Sequence, residues 1–356
     1  MKKVLATMGL AVLASPMANA GSLGFDFKSE FVNTSYNDAA GTPNNSVFKV
    51  SRFDLNIGGK LGEMTSYTAR IKLLNSNAKA YATIGATTSE VSPNDGTTSF
   101  IDAAYVTRTL MDGLELSVGK VWTGIHGWEG NLSGADVYLY TVAGDTFAGA
   151  GAATGANLGY KMGDHTFNVM VTNPNTNMMS TTTAPNQDRN MWGVTYFGNL
   201  MGGMLLPVVT YHMDDQTVGS AKKKFSYLGL GGKFAMEMFD IEADILMNNL
   251  EGNTTADKTD TVSSYYLLAR YKMGAFMPHL KYEISTAKIN TSATVETKTD
   301  YTGLTAALEY LPVDNEMFRY HVAYTRRTEK ADTSGAQEKA TDKLMFGVRL
   351  NADILK

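Results

Sequence analysis

The chain has 356 residues and no cysteine, and its 31 basic and 35 acidic residues give a formal net charge of −4. This charge balance excludes a broadly basic nucleic-acid-binding protein, and the lack of cysteine excludes a fold held together by disulfides. With 34 glycines, 18 tyrosines and 15 phenylalanines but only 8 prolines, the composition favours an all-β chain with glycine-bearing turns.

The first 20 residues have the pattern of a secretory signal peptide. Two lysines precede a short, mostly apolar run over residues 4–14, and residues 18–20 read Ala-Asn-Ala, as at a cleavage site. The apolar run is too short to span a bilayer. We therefore predict cleavage after Ala20 and export of the mature chain from the cytoplasm.

The mature chain, residues 21–356, contains sixteen segments in which residue character alternates with a period of two, as in half-buried strands. In the stretch SRFDLNIGGKLGEMTSYTARIKL, for example, Phe53 and Leu55 alternate with Arg52 and Asp54. We predict strands at residues 23–34, 47–58, 65–74, 100–110, 114–122, 155–163, 166–173, 190–198, 204–213, 224–234, 238–247, 262–272, 276–286, 300–310, 317–327 and 343–354.

The connections between these segments alternate between short turns and long polar loops. Seven are short, such as MDGL and MGDH, and eight are long, such as YNDAAGTPNNS and MDDQTVGSAKK. Outer-membrane barrels have short periplasmic turns and long extracellular loops, whereas a soluble Greek-key sandwich has no reason to keep every second loop long. The pattern predicts an all-β fold: a transmembrane antiparallel up-and-down β-barrel of about 16 strands, forming a single domain over residues 21–356.

The charged faces of the predicted strands indicate what the inside of the barrel contains. Charged side chains would be costly in a dry core, but a water-filled lumen solvates them while the apolar faces meet lipid. The predicted pore-lining basic residues are Arg52, Arg70, Lys72, Arg108, Arg270, Arg319 and Arg349, and the predicted pore-lining acidic residues are Asp54, Glu242 and Asp244.

The third long loop, residues 123–154, is rich in glycine and alanine. Small residues allow a loop to pack closely against a wall, and a sixteen-stranded barrel is wide enough to hold one inside. We predict that this segment, which carries Glu129, Asp136 and Asp145, folds into the lumen as a constriction loop. The alternatives are an extracellular lid and a contact between subunits.

A search for catalytic motifs finds none. Gly-x-Ser-x-Gly, His-Glu-x-x-His and a complete Gly-x-Gly-x-x-Gly are absent, and the five histidines lack metal-ligand spacing. We therefore predict no catalytic residue, no metal site and no cofactor. A hydrolase at the rim of the barrel and an adhesive surface protein with a closed lumen remain alternatives from other functional classes.

Two stretches carry a resemblance to a known family. SRFDLNIGGKLGEMTSYTARIKL, together with FIDAAYVTRTLMDGLELSVGKVWTG and the glycine-rich loop after it, resembles the bacterial outer-membrane porins of the general and phosphate-selective types. Such porins usually end on an aromatic residue that the assembly machinery reads. This chain departs from that pattern, because it ends Asp-Ile-Leu-Lys.

The resemblance implies a homotrimer of sixteen-stranded barrels in the outer membrane of a Gram-negative bacterium. The implied partners are outer-membrane lipid, and the barrel-assembly machinery and periplasmic chaperones during biogenesis, with no nucleic acid. It also implies that acidic residues of the third loop face basic residues of the wall across a channel. The implied function is passive diffusion of small hydrophilic solutes and ions.

The balance of charges on the predicted inward faces bears on selectivity. Basic residues slightly outnumber acidic ones at these positions, so we expect weak charge selectivity with a slight preference for anions. A phosphate-selective channel is the alternative within the same class. The sequence has no dense lysine cluster in one loop that would favour it.

Overall fold

The computed structural model describes residues 21–38, 41–73, 80–84, 87–91, 101–125, 127–134, 136–145, 151–173, 190–218, 221–252, 258–290, 294–312, 318–333 and 335–355. The predicted signal peptide and its cleavage site lie outside these ranges. No helix among the described residues is long and apolar enough to cross a membrane.

The described residues form eighteen strands and one short α-helix. The strands are β1 Ser22–Asn37, β2 Asn45–Gly62, β3 Thr65–Lys72, β4 Ala80–Ile84, β5 Thr87–Val91, β6 Ile101–Met111, β7 Leu114–Trp122, β8 Ala152–Met162, β9 His165–Thr172, β10 Met191–Gly198, β11 Leu205–Val218, β12 Ala221–Ala235, β13 Phe239–Glu251, β14 Thr259–Tyr271, β15 Phe276–Asn290, β16 Glu296–Tyr310, β17 Phe318–Ala331 and β18 Lys339–Leu355. The helix, α1, is Val142–Asp145, and 3-10 turns lie at Glu129–Asn131 and Met201–Gly203.

Sixteen of these strands close into one antiparallel barrel, which confirms the predicted fold class and strand count. Each barrel strand pairs with the barrel strands before and after it in the chain, and β1 pairs with β18 to complete the ring. Strands β4 and β5 form a separate two-stranded sheet in the connection between β3 and β6. The sequence interpretation did not foresee this hairpin and treated the whole connection as a loop.

The prediction of a long loop between β11 and β12 is wrong. Strand β11 runs to Val218 and β12 begins at Ala221, so only residues 219–220 separate them, and Thr217 is paired with Lys222. Polar residues in this segment can remain in a paired ladder because the pairing satisfies their backbone groups. The strands here continue beyond the point where their alternation of polar and apolar residues ends.

The two faces of the wall differ as predicted. On β15, Leu280 and Tyr282 are 56% and 50% exposed on the outward face, whereas the alternating Lys281 and Glu283 are 6% and 1% exposed on the inward face. The same alternation places Asp26, Lys28 and Glu30 of β1 inside the barrel. The outward apolar surface suits a lipid environment, and the inward surface is polar.

Candidate pore constriction

The connection between β7 and β8, residues 123–151, enters the barrel and contacts its inner wall; we call it the constriction loop. Its backbone meets β12 where Gly127 lies against Gly229: a Cβ on Gly229 would be 2.4 Å from the Gly127 nitrogen. Gly127 has φ +61°, a conformation that favours glycine, and its N–H donates to Thr210 Oγ1 at 3.2 Å. The described part of the loop therefore packs against inward-facing residues of β11 and β12.

Asp244 of β13 anchors the loop through its backbone. Its two carboxylate oxygens accept hydrogen bonds from the Trp128 and Glu129 N–H groups at 3.0 and 2.7 Å. Asp244 is 3% exposed, so these bonds replace the water that the carboxylate loses on burial. This predicted pore-lining acid acts as a receptor for the loop.

Glu129 forms the innermost ion pair of the loop. Its Oε1 lies 2.5 Å from Lys281 Nζ of β15, and its Oε2 accepts a hydrogen bond from the Thr141 hydroxyl at 2.6 Å. Lys281 also donates to the Leu139 carbonyl at 2.7 Å and lies 4.5 Å from the centre of the Tyr266 ring. Glu129 is 1% exposed, so this pair is shielded from solvent.

Helix α1 fastens the second half of the loop. The Val142 N–H donates to Glu283 Oε1 at 2.6 Å, and the Ala143 N–H donates to Ser264 Oγ at 2.9 Å. Asn248 Nδ2 returns a hydrogen bond of 2.6 Å to the Ala143 carbonyl. Three neighbouring strands, β13 to β15, thus hold one helical turn.

Asp136 lies between two arginines of the wall. Its carboxylate forms close ion pairs with Arg319 of β17 and Arg349 of β18. Arg319 also pairs with Glu309 at 2.9 Å, and Arg349 forms a two-pronged pair with Asp26 at 2.9 and 3.1 Å. Burial alone would raise the pKa of Asp136, but the two guanidinium groups more than offset it and hold the pKa below its usual value.

Tyr138 docks into a pocket between two histidines. Its hydroxyl donates to Glu309 at 2.6 Å, and its ring centre lies 6.2 Å from that of His279 and 5.3 Å from that of His321. Lys28 Nζ lies 4.9 Å from the ring centre on the β1 side. Tyr138 therefore joins the loop to four strands of the wall.

Asp145, the third predicted acid of the loop, pairs with Arg327 of β17 at 3.1 Å. Arg327 also contacts Glu283 at 3.2 Å and forms a close hydrogen bond with the Tyr140 carbonyl. Sequence reasoning left Arg327, Lys281 and Tyr138 out of the candidate site. The alternation of β15 and β17 places the two bases inside the barrel, but no sequence signal shows that they meet the loop.

The resemblance implied that the loop acids face the wall bases across an open channel, and this expectation is wrong for Glu129, Asp136 and Asp145. All three predicted loop acids make ion pairs with wall residues at 3.1 Å or less, because the loop lies directly against β13 to β18. Two predicted wall residues, Arg270 and Glu242, pair with each other at 2.7 Å on that same side. An open cavity borders the loop next to β18, β1 and β2.

On β2 and β3, the bases predicted to line the pore form ion pairs with neighbouring carboxylates. Arg52 pairs with Asp54 at 2.7 Å and with Asp26 at 2.8 Å. Arg70 and Lys72 both pair with Asp102, at 3.3 and 2.6 Å. Arg70 also lies 4.5 Å from the centre of the Trp122 ring. These bases are only partly neutralised by surrounding carboxylates.

The prediction that Arg108 lines the pore is wrong. It pairs across the sheet with Thr65 and shares the outward face with Val106 and Leu110, which are 43% and 46% exposed. The cause is a bulge in β6: Arg70 pairs with Ala103 and Ile71 with Ile101, so Asp102 is an extra residue. One extra residue moves every later side chain to the other face.

Solved structures with the same architecture are outer-membrane proteins. OmpT of Vibrio cholerae in its trimer form matches with a TM-score of 0.60 at 14% identity over 94% of this chain and 100% of that chain. An anion-selective porin from Comamonas acidovorans gives 0.60 at 11% identity over 93% and 100%. The channel DcaP of Acinetobacter baumannii gives 0.55 at 12% identity over 94% and 98%.

The chain has the closed sixteen-stranded barrel fold of these porin-type proteins. No family model matches it, and no curated protein matches its sequence. The likeness is therefore one of fold, carried by strand number, closure and topology.

The porin-type barrel retains a cavity of about 830 Å³ between the constriction loop and strands β18, β1 and β2, which we call the vestibule. Its lining includes the bases Lys28, Lys49, Arg52, Lys72 and Lys343 and the acids Glu30 and Asp54.

Three vestibule bases have carboxylate partners, since Lys28 pairs with Glu30 at 2.8 Å and Arg52 and Lys72 are paired as above. Lys49 and Lys343 form no ion pair with any residue that the structure describes. The vestibule therefore carries an excess of positive charge.

Lys49 reaches the lumen because of a second bulge. Lys28 pairs with Arg52 and Ser29 with Val50, so Ser51 is the extra residue of β2. Lys49 consequently lies on the inward face although it is an odd number of residues from Arg52. Simple alternation would place it outside, and the sequence interpretation did not include it.

Proposed function

We propose that this protein is a porin: a water-filled channel for the passive diffusion of small hydrophilic solutes and ions, with a weak preference for anions. The observation that carries the proposal is the vestibule, a polar cavity inside a closed barrel with five bases and two acids on its lining. A low-dielectric wall strengthens the field of unpaired charges and raises the local concentration of counter-ions.

Selectivity is expected to depend on the two unpaired lysines. In a planar bilayer with a potassium chloride gradient, the reversal potential of the wild-type channel should be displaced toward the chloride equilibrium potential. The double variant Lys49→Gln/Lys343→Gln should bring it close to zero, because two uncompensated charges are lost. A control that removes two outward charges, Lys288→Gln/Lys298→Gln, should leave it unchanged. A wild-type channel that favours potassium would contradict the proposal.

We propose no enzymatic activity. His279 and His321 are buried beside Glu309 and Glu30 and frame Tyr138, so packing of the loop accounts for their position. No group of three or more His, Cys, Asp or Glu suited to a metal ion occurs among the described residues. A folded barrel that gives no conductance would return the hydrolase and the adhesin as the leading functions.

We further propose export through a cleaved signal peptide and residence in the outer membrane. The outward apolar face of the barrel and the outer-membrane origin of the matched structures support this location. Sequencing the N-terminus of the protein recovered from the outer-membrane fraction should give Gly21 as the first residue. Recovery of Met1, or of the protein in the cytosol, would contradict it.

A homotrimer is the assembly that we propose. On the outward face of β1 and β2, Phe27 lies 5.9 Å from Phe53 and Phe31 lies 4.8 Å from Phe48, measured between ring centres. Phe48 is 82% exposed. On the side of β2 away from β1, residues 45–52 have no described strand partner. An aromatic surface beside an unpaired strand edge is suited to burial against a second copy.

Phe48→Ser should therefore shift the protein from trimer toward monomer, because it removes the most exposed of these rings. The mass of the detergent-solubilised protein, measured by light scattering during gel filtration, reports the change. Phe276→Ser removes an outward aromatic on β15, on a different part of the wall, and should leave the mass unaltered. A wild-type protein that is monomeric would refute the assembly.

A further inference from the structure

An apolar stripe crosses the wall of the vestibule. Met345 of β18, Val32 of β1 and Val47 of β2 are direct partners in the register of three adjacent strands, so their inward side chains form one line. All three line the vestibule; Val47 is 43% exposed, whereas Val32 and Met345 are each 6% exposed in the cluster against which Tyr138 packs. An exposed valine beside a buried apolar cluster is unexpected in a lumen whose function requires only water and charge.

The two unpaired lysines lie on either side of this stripe. Lys343 is two residues from Met345 on β18, on the loop end of the barrel, and Lys49 is two residues from Val47 on β2, on the short-turn end. Side chains two residues apart on a strand point to the same face. The stripe is thus bordered by an ammonium group at two opposite corners.

The constriction loop supplies the facing wall of the same cavity. Val137, Tyr138 and Tyr140 line the vestibule opposite the strands. The ring of Tyr138 is fixed in place by its bond to Glu309 and packs against the apolar cluster that contains Val32 and Met345. A volume of about 830 Å³ lies within the range of sites that hold small organic molecules.

These features distinguish between classes of solute. An inorganic anion would be attracted by the lysines but would gain nothing from the stripe, and a neutral sugar would gain nothing from the lysines. An anion with an apolar body gains from both, because its charge meets an ammonium group while its carbon chain leaves water. The lining therefore matches an amphipathic anion better than either simpler solute.

We propose that the vestibule is a docking site for small organic anions that carry an apolar body, of which a medium-chain carboxylate is the simplest. This inference rests on the proposed porin function, since the solute must enter the lumen to reach the site. It assigns to Val47, the exposed member of the stripe, a role in solute selection, and to Val32 and Met345 the apolar support behind it. The lysines supply charge attraction, and the stripe supplies discrimination among anions.

The test compares hexanoate with acetate, which share a carboxylate and differ in the length of the carbon chain. Each acid is added to the reconstituted channel in a planar bilayer, and the concentration that halves the chloride current is measured. Partial burial of four additional methylene groups should lower that concentration about tenfold for hexanoate. A protein-free bilayer serves as the control for effects of hexanoate on the lipid.

Two stripe variants separate discrimination from charge. Val47→Asn and, as a second case, Met345→Gln should bring the two acids close together, because each variant removes apolar surface without changing charge. Lys49→Gln/Lys343→Gln should weaken the effect of both acids. The second stripe variant maintains the test if the first does not fold.

The outcomes discriminate between this inference and the function on which it rests. Equal potency of hexanoate and acetate in the wild type, or a preference that both stripe variants retain, would overturn the docking site. If the channel still conducts and favours chloride, the porin proposal stands without it. A folded protein with no conductance would remove both.

Discussion

Gly229→Ala is expected to expel the constriction loop from the wall and enlarge the channel. A Cβ at this position would lie 2.4 Å from the nitrogen and 2.7 Å from the Cα of Gly127, and backbone atoms cannot swing aside as a flexible side chain can. The loop must therefore withdraw and lose the adjoining bonds to Asp244. Because conductance scales with open cross-section, we expect it to rise by at least about twofold in a barrel of this width.

The measurement is single-channel conductance in symmetric potassium chloride. Gly62→Ala is the matched control, since a Cβ there would meet no atom within 4 Å. It should conduct as the wild type does. If Gly229→Ala folds and its conductance stays at the wild-type value, the loop does not limit the flow of ions, and the constriction must be sought elsewhere in the barrel.

Lys281→Met is expected to weaken the docking of the constriction loop by removing one partner of a buried ion pair. The substitution leaves the Glu129 carboxylate, which is 1% exposed, without the ammonium group that lies 2.5 Å away. Removing one partner of a buried ion pair costs about 3–5 kcal/mol, because the remaining charge is neither solvated nor neutralised. Here the cost opposes docking of the loop and leaves the barrel's backbone pairing intact.

Hydrogen exchange of the loop amides is the appropriate readout. A docking penalty of that size should accelerate exchange over residues 127–145 by roughly two to four orders of magnitude. Lys281→Met/Glu129→Gln should restore much of the protection, since the orphaned charge is gone. Arg270→Met is the matched control: it removes the nearer cationic partner of Glu242 on the same wall, leaving Lys233 at 4.0 Å, and removes no bond to the described part of the loop. Equal acceleration in that control would indicate general loosening of the barrel.

The sequence was sufficient for the architecture because the architecture depends on a pattern that repeats sixteen times. A wall between lipid and water imposes alternation on every strand, so an error in one segment does not alter the overall interpretation. The inward location of Arg52, Arg70 and Arg349 follows from that alternation alone. The same argument identifies Lys281 and Arg327 as inward bases.

The errors arise where the period of two is interrupted. Extra residues at Ser51 and Asp102 each reverse the phase of their strand, which brings Lys49 into the lumen and turns Arg108 outward. A bulge is a property of the pairing between two strands. Nothing in the sequence of either strand alone shows where one of them will carry an extra, unpaired residue. Strand phase is therefore predictable only up to the first bulge.

The contacts of the constriction loop could not be predicted from the sequence for a different reason. Glu129, Asp136 and Asp145 could be selected because the resemblance to porins implies acidic residues in the third loop. Their partners come from strands that are more than 150 residues further along the chain, as with Lys281 and Glu129, which are 152 residues apart. Only the closed barrel brings such positions together, so sequence spacing carries no information about the pairing.

Arg349 places the loop at the seam of the barrel. It belongs to β18, bonds Asp26 of β1 and holds Asp136, so one guanidinium group joins the last strand, the first strand and the loop. The seam is the pairing of β1 with β18, at the two ends of the chain. Contacts between residues this far apart in sequence form slowly during folding, because closing a long loop costs chain entropy. The receptor for Asp136 is complete only after the ring has closed. The loop can therefore dock completely only in a closed barrel. A barrel in which β1 and β18 have not paired would lack the complete Asp136 contact that helps to hold the loop in the lumen.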